Sequence, residues 1–101
     1  MPDRDVLPQR RYAESFDIAH SKLAPFSVTL GYYRDGRIGE VFISNVKAGS
    51  EVEAVARDGA VLLSLALQYG VPIETIKGTV TRNSDGTPST VIGAVVDRIV
   101  R

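Results

Sequence analysis

Phe26-Ser27-Val28-Thr29-Leu30-Gly31-Tyr32-Tyr33-Arg34-Asp35-Gly36-Arg37-Ile38-Gly39-Glu40-Val41-Phe42-Ile43 is the stretch on which the fold turns. Phe26, Val28, Leu30 and Tyr32 alternate with Ser27, Thr29 and Gly31, the period of two that collects apolar side chains on one face of a strand. Asp35-Gly36 accepts the positive backbone angles of a tight turn. Beyond it Ile38, Val41 and Ile43 resume the apolar pattern, so the segment predicts a β-hairpin. With Val41 and Ile43 facing inward, Glu40 and Phe42 project together from the opposite face. A glutamate there is either an ordinary exposed strand residue or a salt-bridge or interface contact.

Working outward, Tyr12, Glu14, Phe16 and Ile18 alternate with Ala13, Ser15, Asp17 and Ala19, which predicts a first strand joined to the hairpin by a turn over residues 21–25. Downstream, Ser50 and Glu53 have the spacing of a capping box, so a helix is expected to begin at Ser50. Val52, Val55, Ala56, Leu62, Leu63, Ala66 and Leu67 recur at steps of three and four, and Val61 and Leu65 widen that face, so the second half of this helix is expected to be buried on most sides. Gly70 suits a left-handed cap and Pro72 a fresh start, ending the helix near Tyr69. Residues 72–77 predict a short helix closed by Gly78, and Thr79-Val80-Thr81 a loop or short strand. After the turn cluster Asn83-Ser84-Asp85-Gly86, Thr87 as N-cap and Pro88 at the first helical position are expected to open a terminal helix. Its buried face is Val91, Ile92, Val95, Val96, Ile99 and Val100, with Arg98 and Arg101 at the negative end of the dipole. The expected fold class is α+β: a three-stranded antiparallel meander packed against a long central helix and a C-terminal helix.

Composition bounds the function. The chain has 101 residues, 44% hydrophobic and 24% charged, which suits one globular domain. Residues 1–10, with Pro2, Pro8 and alternating charge, are expected to form a flexible or partner-ordered arm, and residues 11–101 the domain. Twelve Lys and Arg balance twelve Asp and Glu, leaving no net field for a polyanion, so nucleic-acid binding is not expected. The longest apolar run, Ala60 to Leu67 with Ser64 inside it, falls far short of the roughly 20 residues of a membrane span. No secretory pattern opens the sequence, and a cytoplasmic address follows by default. With no cysteine the chain offers no disulfide, thiolate metal site or thiol nucleophile.

Gly31-Tyr32-Tyr33-Arg34-Asp35-Gly36-Arg37-Ile38-Gly39-Glu40-Val41-Phe42-Ile43 resembles the G-x-Y-x-D-G-R-x-G-E-I/V-F-I signature near the C-terminus of adenosylcobalamin-dependent ribonucleotide reductases. A second block agrees in order and spacing: Lys47-Ala48-Gly49-Ser50, then Ser64-Leu65-Ala66-Leu67-Gln68-Tyr69-Gly70-Val71-Pro72, similar to their S-x-x-L-Q-Y-G-V-P. Asp97-Arg98-Ile99-Val100-Arg101 resembles their final helix. The resemblance, over roughly residues 12–101, is to a TSCPD-type domain. The Thr-Ser-Cys-Pro-Asp string that names the domain is absent, and Thr87-Pro88-Ser89-Thr90 is at most its remnant. The resemblance implies parents with a cobalamin-binding barrel, a radical-bearing cysteine and reducing cysteine pairs. A chain without Cys cannot supply that chemistry, so ancestry implies an accessory domain, noncatalytic alone and with no cofactor of its own.

The candidate ligand or partner residues follow from this. Arg34 and Arg37 flank the turn and offer a two-arginine clasp for a phosphate, or simply solvated loop charge. Gln68 and Tyr69 read as a ligand-facing helix end or as packing around the cap glycine. Ser64 is expected to bond back to the carbonyl of Ala60. His20 lacks a second metal ligand or a nucleophile, and the pairs Asp3/Asp5 and Glu51/Glu53 lie in the arm and in a helix first turn, so no catalytic and no metal-binding residue is assigned. Two edges of the meander, with Tyr12, Phe16, Tyr32, Tyr33 and Phe42, predict a homodimer through the sheet, and the resemblance adds a ribonucleotide reductase large subunit as a partner. The competing reading is a small-ligand or nucleotide sensor linked to deoxyribonucleotide metabolism.

Overall fold

In the computed structural model, which describes residues 3–21, 23–47 and 49–100, the alternating segments form β1 (Ala13–Ile18), β2 (Phe26–Tyr32) and β3 (Ile38–Ser44). They make an antiparallel sheet of order β1-β2-β3, with a bulge at Gly31/Tyr32. Phe16, Val28 and Ile43 line up across the inner face, and Ser15, Thr29 and Phe42 across the outer one. The helices are α1 (Ser50–Gln68), α2 (Ile73–Lys77) and α3 (Val91–Ile99). The expected α+β architecture is what the chain adopts.

The core lies between the inner face of the sheet and the helices. Phe26, Val28 and Val41 from the sheet and Val95 and Val96 from α3 are fully buried, each worth on the order of 1.5–3 kcal/mol relative to exposure. The Arg98 guanidinium of α3 stacks 4.6 Å from the centre of the Phe16 ring, which places α3 towards β1.

Helix α1 runs beside the outer edge of β3. Ser64 Oγ accepts from the Val41 amide at 2.9 Å and donates within reach of the Val41 and Ala60 carbonyls, at 3.2 and 2.8 Å. One turn later the Gln68 side-chain amide donates to the Gly39 carbonyl at 2.8 Å. Four helical residues rise about 6 Å and two strand residues about 6.8 Å, so this pair matches alternate peptide groups of the strand. Ala56 and Ala60 continue the same small-residue stripe and are buried. A strand edge is an open row of donors and acceptors, and at β3 Ser64 and Gln68 of the helix occupy it at Val41 and Gly39.

The end of α1 follows the expected form. Gly70 has φ +90°, its amide reaches the Leu67 carbonyl and that of Val71 the Ala66 carbonyl, both at 3.0 Å, the paired bonds of a Schellman cap. Three local expectations are corrected. Ser50 is the first helical residue rather than the cap: Gly49 precedes it with φ +95°, and no side chain caps the helix. A glycine in that backbone region turns the chain into the helix without needing a Ser–Glu box. Helix α3 begins at Val91, not at Pro88. Thr90 is its N-cap, accepting from the Gly93 amide at 3.0 Å, while Pro88 bridges Arg82 across the 83–86 turn. Thr87 is held by Asp85 in that turn instead. Finally, Val55, Val61 and Leu62 are 63%, 59% and 67% exposed. Apolar residues run around much of α1, and the narrow strand edge takes the small stripe with Leu63, leaving the bulkier side chains outside. Lys22, Ala48 and Arg101, on which parts of the turn, second-block and helix-end readings fall, lie outside the described residues.

Candidate functional site

The singled-out residues divide into two groups. At the β2–β3 turn, Arg37 donates from Nε to Asp35 at 2.7 Å and from Nη2 to Asp5 at 2.9 Å, while its backbone amide reaches Asp35 at 3.1 Å. Its guanidinium stacks 4.5 Å from the centre of the Tyr33 ring, and the Tyr33 hydroxyl donates to the Asp5 carbonyl. The backbone and then the side-chain hydrogen bonds from Arg37 hold the Asp35 carboxyl below its usual range, and the bonds to Asp5 and Asp35 raise Arg37 in turn. Burial pushes the Tyr33 phenol up, with Asp5 adding to it. Arg37 is thus claimed by two carboxylates of its own chain. Arg34 is exposed and, among the described residues, enters no ion pair.

The second group lies along β3 and α1. Glu40 meets Arg11 in a two-bond fork at 3.0 and 3.1 Å, draped over Gly31. A Cβ at Gly31 would stand 2.6 Å from Glu40 Oε1, so the glycine makes room for the pair. Phe42 projects beside it, 56% exposed, on the face the alternation assigned to both. A groove of about 500 Å³ separates this side of β3 from α1, with Arg4, Glu40, Phe42, Arg57, Val61 and Leu65 on its walls. Gln68 closes its floor. Besides bonding Gly39, it accepts from Arg4 Nε at 2.5 Å, and its backbone carbonyl takes the Asp5 amide at 2.8 Å. Tyr69 stands at the helix end, 38% exposed, and does not line that groove. Glu40, Phe42 and Gln68 are brought together; Arg34 and Arg37 sit at the turn, and of the two it is Arg37 that is tied to the groove through Asp5.

A polar cleft of about 540 Å³ lies elsewhere, between the end of β1 and α3, with His20, Asn83, Thr87, Asp97 and Arg98 on its walls. Asp97 is committed to Arg82 through bonds of 2.7 and 2.9 Å, and those bonds lower its carboxyl below the usual range. On the sheet, burial and the hydrogen bond to Glu14 push the Tyr32 phenol up to about 12. Among the described residues no group of three His, Cys, Asp or Glu could hold a metal. Carboxylates already matched to a guanidinium or phenol are poor general acids near neutral pH. What these groups accomplish is attachment: arm to helix, turn to arm, loop to α3.

Sequence reasoning missed the edge-sealing role of Ser64 and Gln68 and the Arg82–Asp97 fork. Ser64 did carry a signal, since a polar residue four after Ala60 and four before Gln68 defines one narrow stripe of small and polar side chains on an otherwise apolar helix. The fork joins a loop to a helix fifteen residues on, beyond any local period.

Comparison with known proteins gives the family of the chain. The family model described as "TSCPD domain" matches residues 8–101. The vitamin B12-dependent ribonucleotide reductase of Agrobacterium fabrum is 39% identical over 74 residues, covering 71% of this chain and 6% of that protein. That of Rhodopirellula baltica is 39% identical over 77 residues, 74% of this chain and 7% of the relative. That of Streptantibioticus cattleyicolor is 40% identical over 76 residues, 73% and 12% respectively. The chain therefore corresponds to a small part of these enzymes. No solved structure matches it to a significant degree. With the signature blocks on the β2–β3 hairpin and α1, and the family model spanning nearly the whole chain, this protein belongs to the TSCPD domain family.

Proposed function

We propose that this TSCPD domain is a noncatalytic accessory module of ribonucleotide reductase ancestry that works by docking. Its first partner is a second copy of itself, and a reductase large subunit is a further one, in a cytoplasmic setting. The observation that carries the reading is where the side chains are spent. Arg37, Glu40, Asp97 and Gln68 are engaged within the chain, whereas Phe42, Val55, Val61 and Leu62 are more than half exposed. Phe42 and Val61 stand on the walls of one groove, and large apolar side chains exposed side by side favour an interface. The absence of cysteine supports the same reading, since the radical chemistry implied by the resemblance needs a thiol.

The test is an assay of the purified chain with ribonucleotides, adenosylcobalamin and a dithiol, alongside thermal unfolding with and without nucleotides. The expected result is no deoxynucleotide product and an unchanged Tm. Product would overturn the noncatalytic reading. A nucleotide-dependent rise in Tm would favour a sensor, because a ligand that binds only the native state stabilises it.

A further inference from the structure

We infer that the outer edge of β1 is a self-pairing edge: two copies join antiparallel about Ser15 into one continuous sheet, with Arg98 of each copy set against Glu14 of the other. This rests on the docking reading for its partner, a second copy, and places that copy on the sheet edge, apart from the exposed apolar side chains of β3 and α1.

The two edges of the sheet differ. Helix α1 closes β3 through Ser64 and Gln68. On β1, the Tyr32 amide bonds the Tyr12 carbonyl at 3.0 Å. In an antiparallel ladder this fixes the phase: Tyr12, Glu14, Phe16 and Ile18 turn their peptide groups to β2, and Ala13, Ser15 and Asp17 turn theirs away. Those outward groups find no backbone partner among the described residues. β1 has no proline, no lysine and no bulge, and the charges it does carry, Glu14 and Asp17, are ones a second copy can meet with Arg98 and with Ala13. Ala13, Ser15 and Asp17 are small or short and all exposed, so a neighbouring strand meets no bulk on the outer face.

Charge selects the register. Centred on Ser15, the pairing sets Ala13 against Asp17 of the second copy in a hydrogen-bonded pair, and Glu14 against Phe16 of the second copy in the closer, non-hydrogen-bonded pair. Arg98 already lies over the Phe16 ring, exposed and, among the described residues, in no ion pair. The second copy's Glu14 would arrive beside it. Glu14 uses one carboxylate oxygen for the Tyr32 hydroxyl, which leaves the other for the guanidinium. Sliding the register one pair towards the N-terminus sets Glu14 against Glu14. Sliding it the other way stacks Phe16 on Phe16 beneath two guanidinia. Both place like charges together, which is unfavourable.

Sedimentation equilibrium from the low micromolar range upward tests this on four chains: the parent, Ser15→Pro, Arg98→Glu and the double exchange Glu14→Arg/Arg98→Glu. Proline at position 15 removes an outward donor and leaves the β1–β2 ladder its bonds. The parent is expected to dimerise, and Ser15→Pro and Arg98→Glu each to raise the dissociation constant roughly tenfold or more. The double exchange is expected to recover most of the loss, a rescue that simple misfolding would not give. Circular dichroism checks the fold of each, and if Ser15→Pro does not fold, the charge exchange decides alone. Dimerisation unaffected by Arg98→Glu, or not recovered by the double exchange, overturns the edge. If Phe42→Asp then abolishes it, the outer face is the interface and the docking reading stands. A parent chain monomeric at every concentration overturns both the edge and self-docking.

Discussion

Ser64→Ala isolates the contact that seats α1 on the sheet. The substitution deletes one oxygen and leaves the Val41 amide, in a residue 2% exposed, without its 2.9 Å acceptor. A buried amide left unpaired costs about 1–3 kcal/mol. Alanine is the better helix former, which returns about 0.5 kcal/mol. The net expectation is a loss of roughly 0.5–2.5 kcal/mol, or several degrees of Tm for a domain of this size. Urea unfolding at constant m-value reads it directly. Ser15→Ala is the control, since its hydroxyl bonds Thr29 on the exposed outer face and its loss should stay within about 0.5 kcal/mol. If the two variants unfold at the same urea concentration, Ser64 does not hold α1 to β3 and the account of the closed edge is wrong.

Gly70→Val should lose at least about 1 kcal/mol, because φ +90° penalises a β-branched side chain. Gly78→Ala, at φ −72° with its nearest foreign atom 3.5 Å from a built Cβ, should lose nothing measurable in the same melting experiment. Thr90→Ala should cost about 0.5–2 kcal/mol as the loss of the α3 cap, and an unchanged Tm would mean that Thr90 is not that cap. Asp97, Asp35 and Asp85 are all held below the usual carboxylate range, chiefly by hydrogen bonds from Arg82, Arg37 and Thr87. A depressed folded-state pKa gives stability that is complete above the unfolded value and is lost as pH falls through the folded one. Unfolding free energy should therefore decline as pH drops below about 4, with a shallower decline in Asp97→Asn. An equal slope in that variant would remove the Arg82–Asp97 pair from the acid response.

Much of the fold is legible locally because its strands are half-buried: Phe26, Val28 and Leu30 meet the core, while Ser27 and Thr29 between them are half-exposed and Gly31 lies under the Glu40–Arg11 pair. The Gly70 cap was legible for a similar reason, a backbone angle only glycine takes readily. The buried face of α1 was not. Val55 and Leu62 carry the same periodic signal as Leu63, and the choice between them is made by a strand edge that prefers Ala60 and Ser64, a tertiary fact. The start of α3 slipped by three residues because Thr87-Pro88 has the chemistry of a helix opening, yet Asp85 takes Thr87 into the turn first. At the candidate site, the outward pairing of Glu40 and Phe42 could be read from the alternation. The engagement of Arg37 by Asp5 could not, since it joins residues thirty-two apart.

Amide hydrogen exchange at two protein concentrations tests the central claim, that one edge of the sheet is sealed and the other is left for a partner. The account predicts that the Val41 amide exchanges slowly at both concentrations, held by Ser64. The Ser15 amide should exchange fast when dilute and slow when concentrated, as the second copy arrives. Equal exchange at Val41 and Ser15, or a Ser15 amide indifferent to concentration, would contradict it.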